Sequence, residues 1–452
     1  MFKLSENHNP NYLATICKIG ELYPIENADR LKRTVVNGYD IVVGIDTQPG
    51  DIVIYFPIET KICNQFLKVN NLYEVPEMNA NFGTDDTSKG FFNKHGRVRI
   101  VKLRGIYSSG FICKPELLVK AFPELMNINF EEYIGTSFDT IGTTLFCEKY
   151  IPFIKERVTH VNKEVKRNNK LKRFDKLIPD TFKFHYDTKK LNENIYKIKP
   201  TDIVSITVKL HGTSGIFAKI PIKRKLTFIE KVKKFFGIKV SLTEMGNIYS
   251  SRAVIKNQYI NNNVKSGFYE SDVWSEVNKI VYPLLCDNMI VYGEIVGFIP
   301  NTPKYIQKNH DYGCRTGEWK FMPYRIVTRN SDRDVEWEVT DVIDWTNHQI
   351  KNGASNLIPM TLLHHGTLTE LYPLVSITEH WHENILACMK EESRFLMECN
   401  EPLCRNKVPR EGIVIRIDGD PIAEAFKLKT NAHYKRECAE NDAGEINIED
   451  EN

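Results

Sequence analysis

The segment Val208-Lys209-Leu210-His211-Gly212-Thr213-Ser214 closes a β-rich run, residues 203–210, on a lysine followed by a glycine turn. A solvated lysine, with a pKa of about 10.4, is protonated and a poor nucleophile. Desolvation or a neighbouring cation frees its lone pair for covalent chemistry. A strand-end lysine could equally point at water, so the meaning of Lys209 depends on what else the chain supplies.

Four further segments supply it. Val291-Tyr292-Gly293-Glu294-Ile295-Val296-Gly297 carries a carboxylate on another β run, and Glu411-Gly412-Ile413-Val414-Ile415-Arg416 starts one with a second carboxylate. In Ala425-Phe426-Lys427-Leu428-Lys429 the lysines are two apart and share one face of a strand. Ser250-Ser251-Arg252 adds a guanidinium. Each is a weak signal alone. Together they offer a nucleophilic lysine, two carboxylates for a hard metal ion and cations for a triphosphate.

In this order the residues resemble the covalent nucleotidyltransferase superfamily of ligases and mRNA capping enzymes, over residues 203–430. The resemblance implies that Lys209 is the adenylated lysine, that Glu294 lies near the ribose and serves a metal, that Glu411 serves the catalytic metal, and that Lys427 and Lys429 contact the nucleotide phosphates. Phe321-Met322-Pro323-Tyr324-Arg325-Ile326 is similar to the motif that stacks on the base, with Tyr324 as the ring; many relatives carry Asp where Arg325 stands. Lys209-Leu210-His211-Gly212-Thr213 has His where DNA ligases and capping enzymes usually have Asp, and so resembles RNA ligases of the phage RNA ligase 2 type. The resemblance implies that His211 supports sealing and that Gly212, Ser214, Arg252 and Arg416 help hold the nucleotide or the 5′-phosphate end. His185, within Phe184-His185-Tyr186-Asp187-Thr188, falls in the stretch that helps form the adenine pocket. The implied reaction is ATP-dependent joining of RNA 3′-hydroxyl and 5′-phosphate ends through lysyl–AMP and RNA–adenylate, with ATP and Mg²⁺ or Mn²⁺ as cofactors. The alternatives are a DNA ligase, a capping-type nucleotidyltransferase, or an RNA-binding protein without catalysis.

The elements that must position these residues begin upstream. Residues 12–19, 34–36, 39–45 and 52–58 are β-rich, broken at Asn37-Gly38 and Pro49-Gly50-Asp51. Asn37-Gly38 between two such runs predicts a hairpin. Residues 96–103 with 110–113 form a further hairpin candidate, and many short strands predict a small barrel. Within 96–105, Arg97 and Arg99 alternate with Val98 and Ile100, followed by Lys102 and Arg104. On a strand the bases would line one face and follow a phosphate backbone. With Asn27-Ala28-Asp29-Arg30-Leu31, this stretch resembles the OB module that precedes the ligase domain in Deinococcus-type RNA ligases. The expected fold is therefore α+β. An N-terminal OB-like β-barrel (1–147) and a basic linker (148–180) precede an antiparallel-sheet nucleotidyltransferase domain of ATP-grasp-like ligase adenylation type (181–436). An acidic disordered tail (437–452) follows. Residues 275–285, 289–292 and 412–417 are expected as a helix and two strands within the ligase domain.

Composition fits this scheme. The 452 residues are 42% apolar and 11% aromatic, enough for sizeable cores. The net charge of +3 argues against a uniformly basic nucleic-acid coat. It conceals two segments, 149–176 and 219–239, each with a net charge of +7. In the second, Phe228, Ile229, Val232, Phe235 and Phe236 have amphipathic helical spacing and are expected to pack on the ligase domain. No apolar run approaches the roughly 18–20 residues of a membrane helix. The polar start has no signal core, so an intracellular, cytoplasmic protein without a membrane partner is expected. The ten cysteines form no CxxC pair, and neither His364-His365 nor His380-Trp381-His382 has a further ligand at fixed spacing, so no zinc is expected. The expected partner is RNA, bound by a monomer.

Overall fold

The computed structural model describes residues 1–151, 177–185, 188–256, 272–330, 333–375, 378–420 and 424–443. Most of the expected linker, residues 152–176, lies outside the described residues, as do 444–452.

The N-terminal part is built from short strands. Ala14–Lys18 buries Ala14 and Ile16 on one face by period-2 alternation, and pairs antiparallel with Ile52–Phe56. Phe111–Cys113 and Ser137–Phe138 flank this pair in a four-stranded sheet. Leu31–Val36 and Tyr39–Gly44 form the hairpin expected at Asn37-Gly38, with Val36 opposite Tyr39. Both turn residues have positive φ, +51° and +78°, the type I′ requirement that Asn-Gly meets at little cost. The second expected hairpin is shifted. Val101–Leu103 pairs with Ile106–Ser108 across Arg104-Gly105, while Phe111–Cys113 joins the main sheet instead. Residues 97–100 lie before this strand, in a stretch with only an isolated bridge at Arg97. Aromatic side chains, among them Phe56, Phe66, Phe138 and Phe146, fill the core.

The C-terminal part holds two five-stranded sheets. The first has the order Lys189–Lys190, Ala425–Lys429, Gly412–Ile417, Ile203–Lys209, Leu362–Thr367; the second has the order Thr243–Ser250, Thr213–Lys223, Met289–Gly297, Trp319–Asn330, Arg333–Glu336. Every pairing is antiparallel except that of Lys189–Lys190 with Ala425–Lys429. Met289–Gly297 is buried along its whole length, as a central strand covered on both faces must be. The helix Val273–Val281 starts on Asp272, which accepts from Ser275 N, and buries Val273, Trp274, Val277 and Val281 against the second sheet. Leu210-His211-Gly212 carries the chain from the first sheet to the second, so the two sheets meet at Lys209.

Residues 437–442, expected in the disordered tail, are helical. The helix Asn431–Asp442, capped by Thr430 Oγ1, includes Glu437, Glu440 and Asp442. It buries Tyr434 and Cys438 against Ile58 and Ile100 of the N-terminal part. Its buried residues are His433, Tyr434, Cys438 and Asn441, a mixed face that composition alone does not reveal.

Candidate functional site

Lys209 ends the strand Ile203–Lys209, in register with Gly412, which is in turn opposite Lys429. Three neighbouring strands thus deliver Lys209, Glu411 and Lys429 to one place. Lys209 Nζ lies 2.8 Å from Glu411 Oε1, and Lys429 Nζ lies 3.3 Å from the same oxygen. The Glu411 side chain is fully buried, which by itself raises its pKa. The ammonium groups of Lys209 and Lys429, with the His211 ring 3.6 Å from the other oxygen, outweigh burial and hold the carboxyl well below its ordinary range.

The turn after Lys209 is held from three sides. His211 N donates to Tyr312 Oη at 2.7 Å, Gly212 N donates to Glu294 Oε1 at 3.0 Å, and Gln307 Nε2 donates to Gly212 O at 2.8 Å. A Cβ on residue 212 would stand 2.3 Å from Ile295 O, so only glycine lets the turn approach the second sheet this closely. Behind the turn the His211 ring is 4.8 Å from both His310 and His433. Burial, with further lowering by His211 and Arg436, drops the His310 pKa to about 3; burial also lowers His433, against the pull of Glu411.

In front of the turn is a pocket between the sheets, walled by Lys209, Glu294, Arg252, Tyr324, Lys427 and Lys429. Lys427 and Lys429 both face it, as their spacing predicts. Ser214, His185 and Arg416 also line it. Tyr324 Oη is 3.2 Å from both Ser214 Oγ and His185 Nδ1. Burial raises the Tyr324 hydroxyl above its ordinary pKa. Arg416 donates through Nη1 to Tyr324 O at 3.1 Å and through Nη2 to Glu336 Oε1 at 2.8 Å. Arg325, where relatives carry Asp, donates through Nε to Glu336 Oε1 at 2.7 Å. Tyr186 and Asp187 lie outside the described residues.

The donor set suits a divalent cation. Glu294 puts a hard carboxylate on the pocket wall. His211, Glu411 and His433 hold their ligand atoms within 4.8 Å of one another, a mixed N/O set that suits a softer divalent ion such as Mn²⁺ better than Mg²⁺. His433 was not read from the sequence; its signal was the Thr430 cap that starts a helix straight after Lys427 and Lys429. Trp274 was also missed. It lines the pocket and donates through Nε1 to Ser214 O at 2.9 Å.

The N-terminal bases divide. Arg97, expected to face RNA, is 1% exposed. It bonds Glu59 Oε2 at 3.3 Å, Cys438 O at 2.9 Å and Asp442 Oδ1 at 2.7 Å. Its guanidinium therefore clamps the helix Asn431–Asp442 to the N-terminal part. The alternation argument failed because residues 97–100 are not a strand, so Arg97 turns inward with Val98 and Ile100. Arg99 is half-buried near Glu74 and Asp442, at 3.7 and 3.6 Å. Lys102 and Arg104 are exposed on the short hairpin.

A family described as an OB-fold domain matches residues 13–115. Among solved structures, a lysine-to-alanine variant of the Naegleria gruberi RNA ligase with ATP and Mn aligns at 18% identity and a TM-score of 0.54, over 94% of this chain and 97% of that one. The chain therefore shares its fold with an RNA ligase. A glutamate-to-alanine variant of that ligase with AMP and Mn aligns with a TM-score of 0.55, and the ligase with PPi with 0.54. Both are 18% identical and cover 94% of this chain, and 98% and 99% of their own chains, respectively. No curated protein matches. The OB-fold match and the ligase-like, antiparallel-sheet α+β architecture agree with the fold expected from the sequence, the Lys189–Lys190 pairing apart.

Proposed function

We propose that this protein is an ATP-dependent RNA ligase that joins a 3′-hydroxyl to a 5′-phosphate. The observation that carries the reading is the pair of ammonium groups, Lys209 and Lys429, that line a cation-rich pocket and meet on one buried carboxylate oxygen behind its wall. Once Lys209 has given up its proton, its lone pair attacks the α-phosphate of ATP. An N–P bond forms, the bond to the β-phosphate oxygen breaks, and pyrophosphate departs on the far side of phosphorus. Lys427, Lys429 and Arg252 line the pocket as cations for the phosphates, and Tyr324, tied to His185 and Ser214, is the platform for adenine. AMP then passes to an RNA 5′-phosphate, and an RNA 3′-hydroxyl displaces it. Glu294 and Glu411, the latter with His211 and His433, are the residues that would hold Mg²⁺ or Mn²⁺, which supplies charge neutralisation for the phosphates. The likeness in fold to an RNA ligase whose structures hold ATP and Mn, AMP and Mn, or PPi supports this reading. His211 in place of Asp favours RNA over DNA joining, and Lys102 and Arg104 are the N-terminal residues offered to the RNA backbone.

The test is a nucleotide and strand panel. Purified protein with ATP and Mg²⁺ or Mn²⁺ should seal nicked or broken RNA bearing 3′-hydroxyl and 5′-phosphate ends. Adduct formation with GTP alone, or sealing of DNA but not RNA, would overturn the assignment. Salt-dependent RNA binding with no nucleotide adduct would show a binding protein instead.

A further inference from the structure

The segment linking Thr213–Lys223 to Thr243–Ser250 contains the helix Phe228–Phe235, whose apolar residues were expected to pack on the ligase domain. The structure overturns that expectation, because the helix has no buried residue. Phe228, Phe235 and Phe236 are 80%, 86% and 72% exposed, and Ile229, Ile238 and Leu242 are exposed beside them.

The helix is nevertheless firmly specified. Thr227 and Glu230 form a complete capping box, and Arg224 Nη1 donates to Glu230 Oε2 at 3.1 Å. Short helices usually owe their stability to a packed face. This one is set by local bonds and turns its apolar face outward. At 3.6 residues per turn, Phe228, Ile229, Val232, Phe235 and Phe236 fall within an arc of about 120°. Lys231 and Lys233 stand one on each side of that arc, about 40° beyond its edges, while Glu230 and Lys234 lie opposite. Lysines at both borders of an apolar face can run their alkyl stems along it and lift their ammonium groups to a layer of anions. The surrounding residues 219–239 carry a net charge of +7.

We propose that this helix is a peripheral anchor for a bilayer surface rich in anionic lipid. The charge pattern matches that surface, with apolar side chains at the centre, bases on both flanks and further bases, Lys223, Arg224 and Lys225, where the first supporting strand ends. Ile238 and Leu242 extend the apolar tip past the helix into irregular chain. A fluid interface accepts such a tip without the shape complementarity that a protein groove demands. No helix among the described residues is long and apolar enough to cross a membrane, so the contact is one of surface insertion. The nine steps from Ser214 to Lys223 place the base of the anchor about 30 Å along the strand from the pocket, at about 3.3 Å per residue.

The test is flotation of the full chain with phosphatidylcholine vesicles, with and without phosphatidylserine, at low and high salt. Wild-type protein should float with the anionic vesicles and less so in high salt. Phe235→Ser/Phe236→Ser should weaken binding about tenfold or more, since each ring contributes at least that much apolar burial, with an unchanged melting temperature. Phe235→Trp should bind as wild type and shift its fluorescence to the blue on anionic vesicles. No flotation, flotation indifferent to the serine substitutions, or an unshifted Phe235→Trp spectrum would overturn the proposal. So would a wild-type dimer that the serine substitutions dissociate, since the face would then be a self-association surface. A lowered melting temperature in the serine variant passes the decision to the Phe235→Trp spectrum.

Discussion

Arg97 and Lys209 are each a basic residue set against a buried carboxylate, in opposite surroundings. Arg97 meets Glu59, Asp442 and a helix carbonyl, with 1% of its surface exposed. A guanidinium does not lose its proton, and its planar fork of donors suits a fixed clamp. Lys209 keeps 16% side-chain exposure, opens into a pocket and shares its carboxylate oxygen with a second ammonium. The carboxylates record the same contrast. Burial, only partly offset by Arg97, pushes Glu59 up to about 7, whereas two lysines overcome burial at Glu411 and hold it far down. Arg97 is sealed from any pocket, with both terminal nitrogens committed, whereas Lys209 has a second ammonium group and an open cavity beside it.

The largest test of that contrast is Glu411→Gln. It removes the charge on which Lys209 and Lys429 converge and should slow nucleotide transfer roughly a hundred- to thousandfold in single-turnover assays. An unchanged rate would demote Glu411 to a packing residue. Next comes Arg97→Ala, which leaves Glu59 buried without its cation. It should cost about 3–5 kcal/mol in urea unfolding, while the folded fraction keeps its transfer rate. A catalytic defect at full stability would mean that Arg97 belongs to the site after all.

A smaller effect is in pH. The folded-state pKa of Glu59 lies above its unfolded value of 4.5, so the native state binds the extra proton. Its contribution is fully present below pH 4.5 and is lost as pH rises through about 7. Stability from this group should fall between pH 5 and pH 8, and Glu59→Gln should flatten that part of the profile in thermal melts. The smallest effect is at the exposed hairpin. Lys102→Ala and Arg104→Ala should each reduce the salt slope of RNA binding by roughly 0.7, with no loss of stability. Equal slopes for wild type and both variants would remove this hairpin from the RNA path.

The site was legible in the sequence because its parts are short motifs on strands. A residue's position in a strand fixes its face, so Lys427 and Lys429 had to point the same way, and the Gly412–Ile417 strand matches its apolar run from end to end. The Asn37-Gly38 turn was legible for a similar local reason, its two positive φ values. Arg97 was misread because alternation determines a face only where the backbone is extended. His310 and His433 join the site through tertiary packing, which no local spacing encodes. The exposure of Phe228–Phe235 was hidden for the converse reason, since amphipathic spacing says that a face is apolar but not what covers it.

The most direct test of the central claim is incubation of the protein with α-labelled ATP and a divalent metal, followed by denaturing electrophoresis and peptide mapping. The account predicts a stable labelled adduct on the peptide that contains Lys209, absent from Lys209→Ala. That variant should still join pre-adenylated RNA, since the final step needs no lysyl adduct. Label retained by Lys209→Ala, or mapped to another residue, would contradict it.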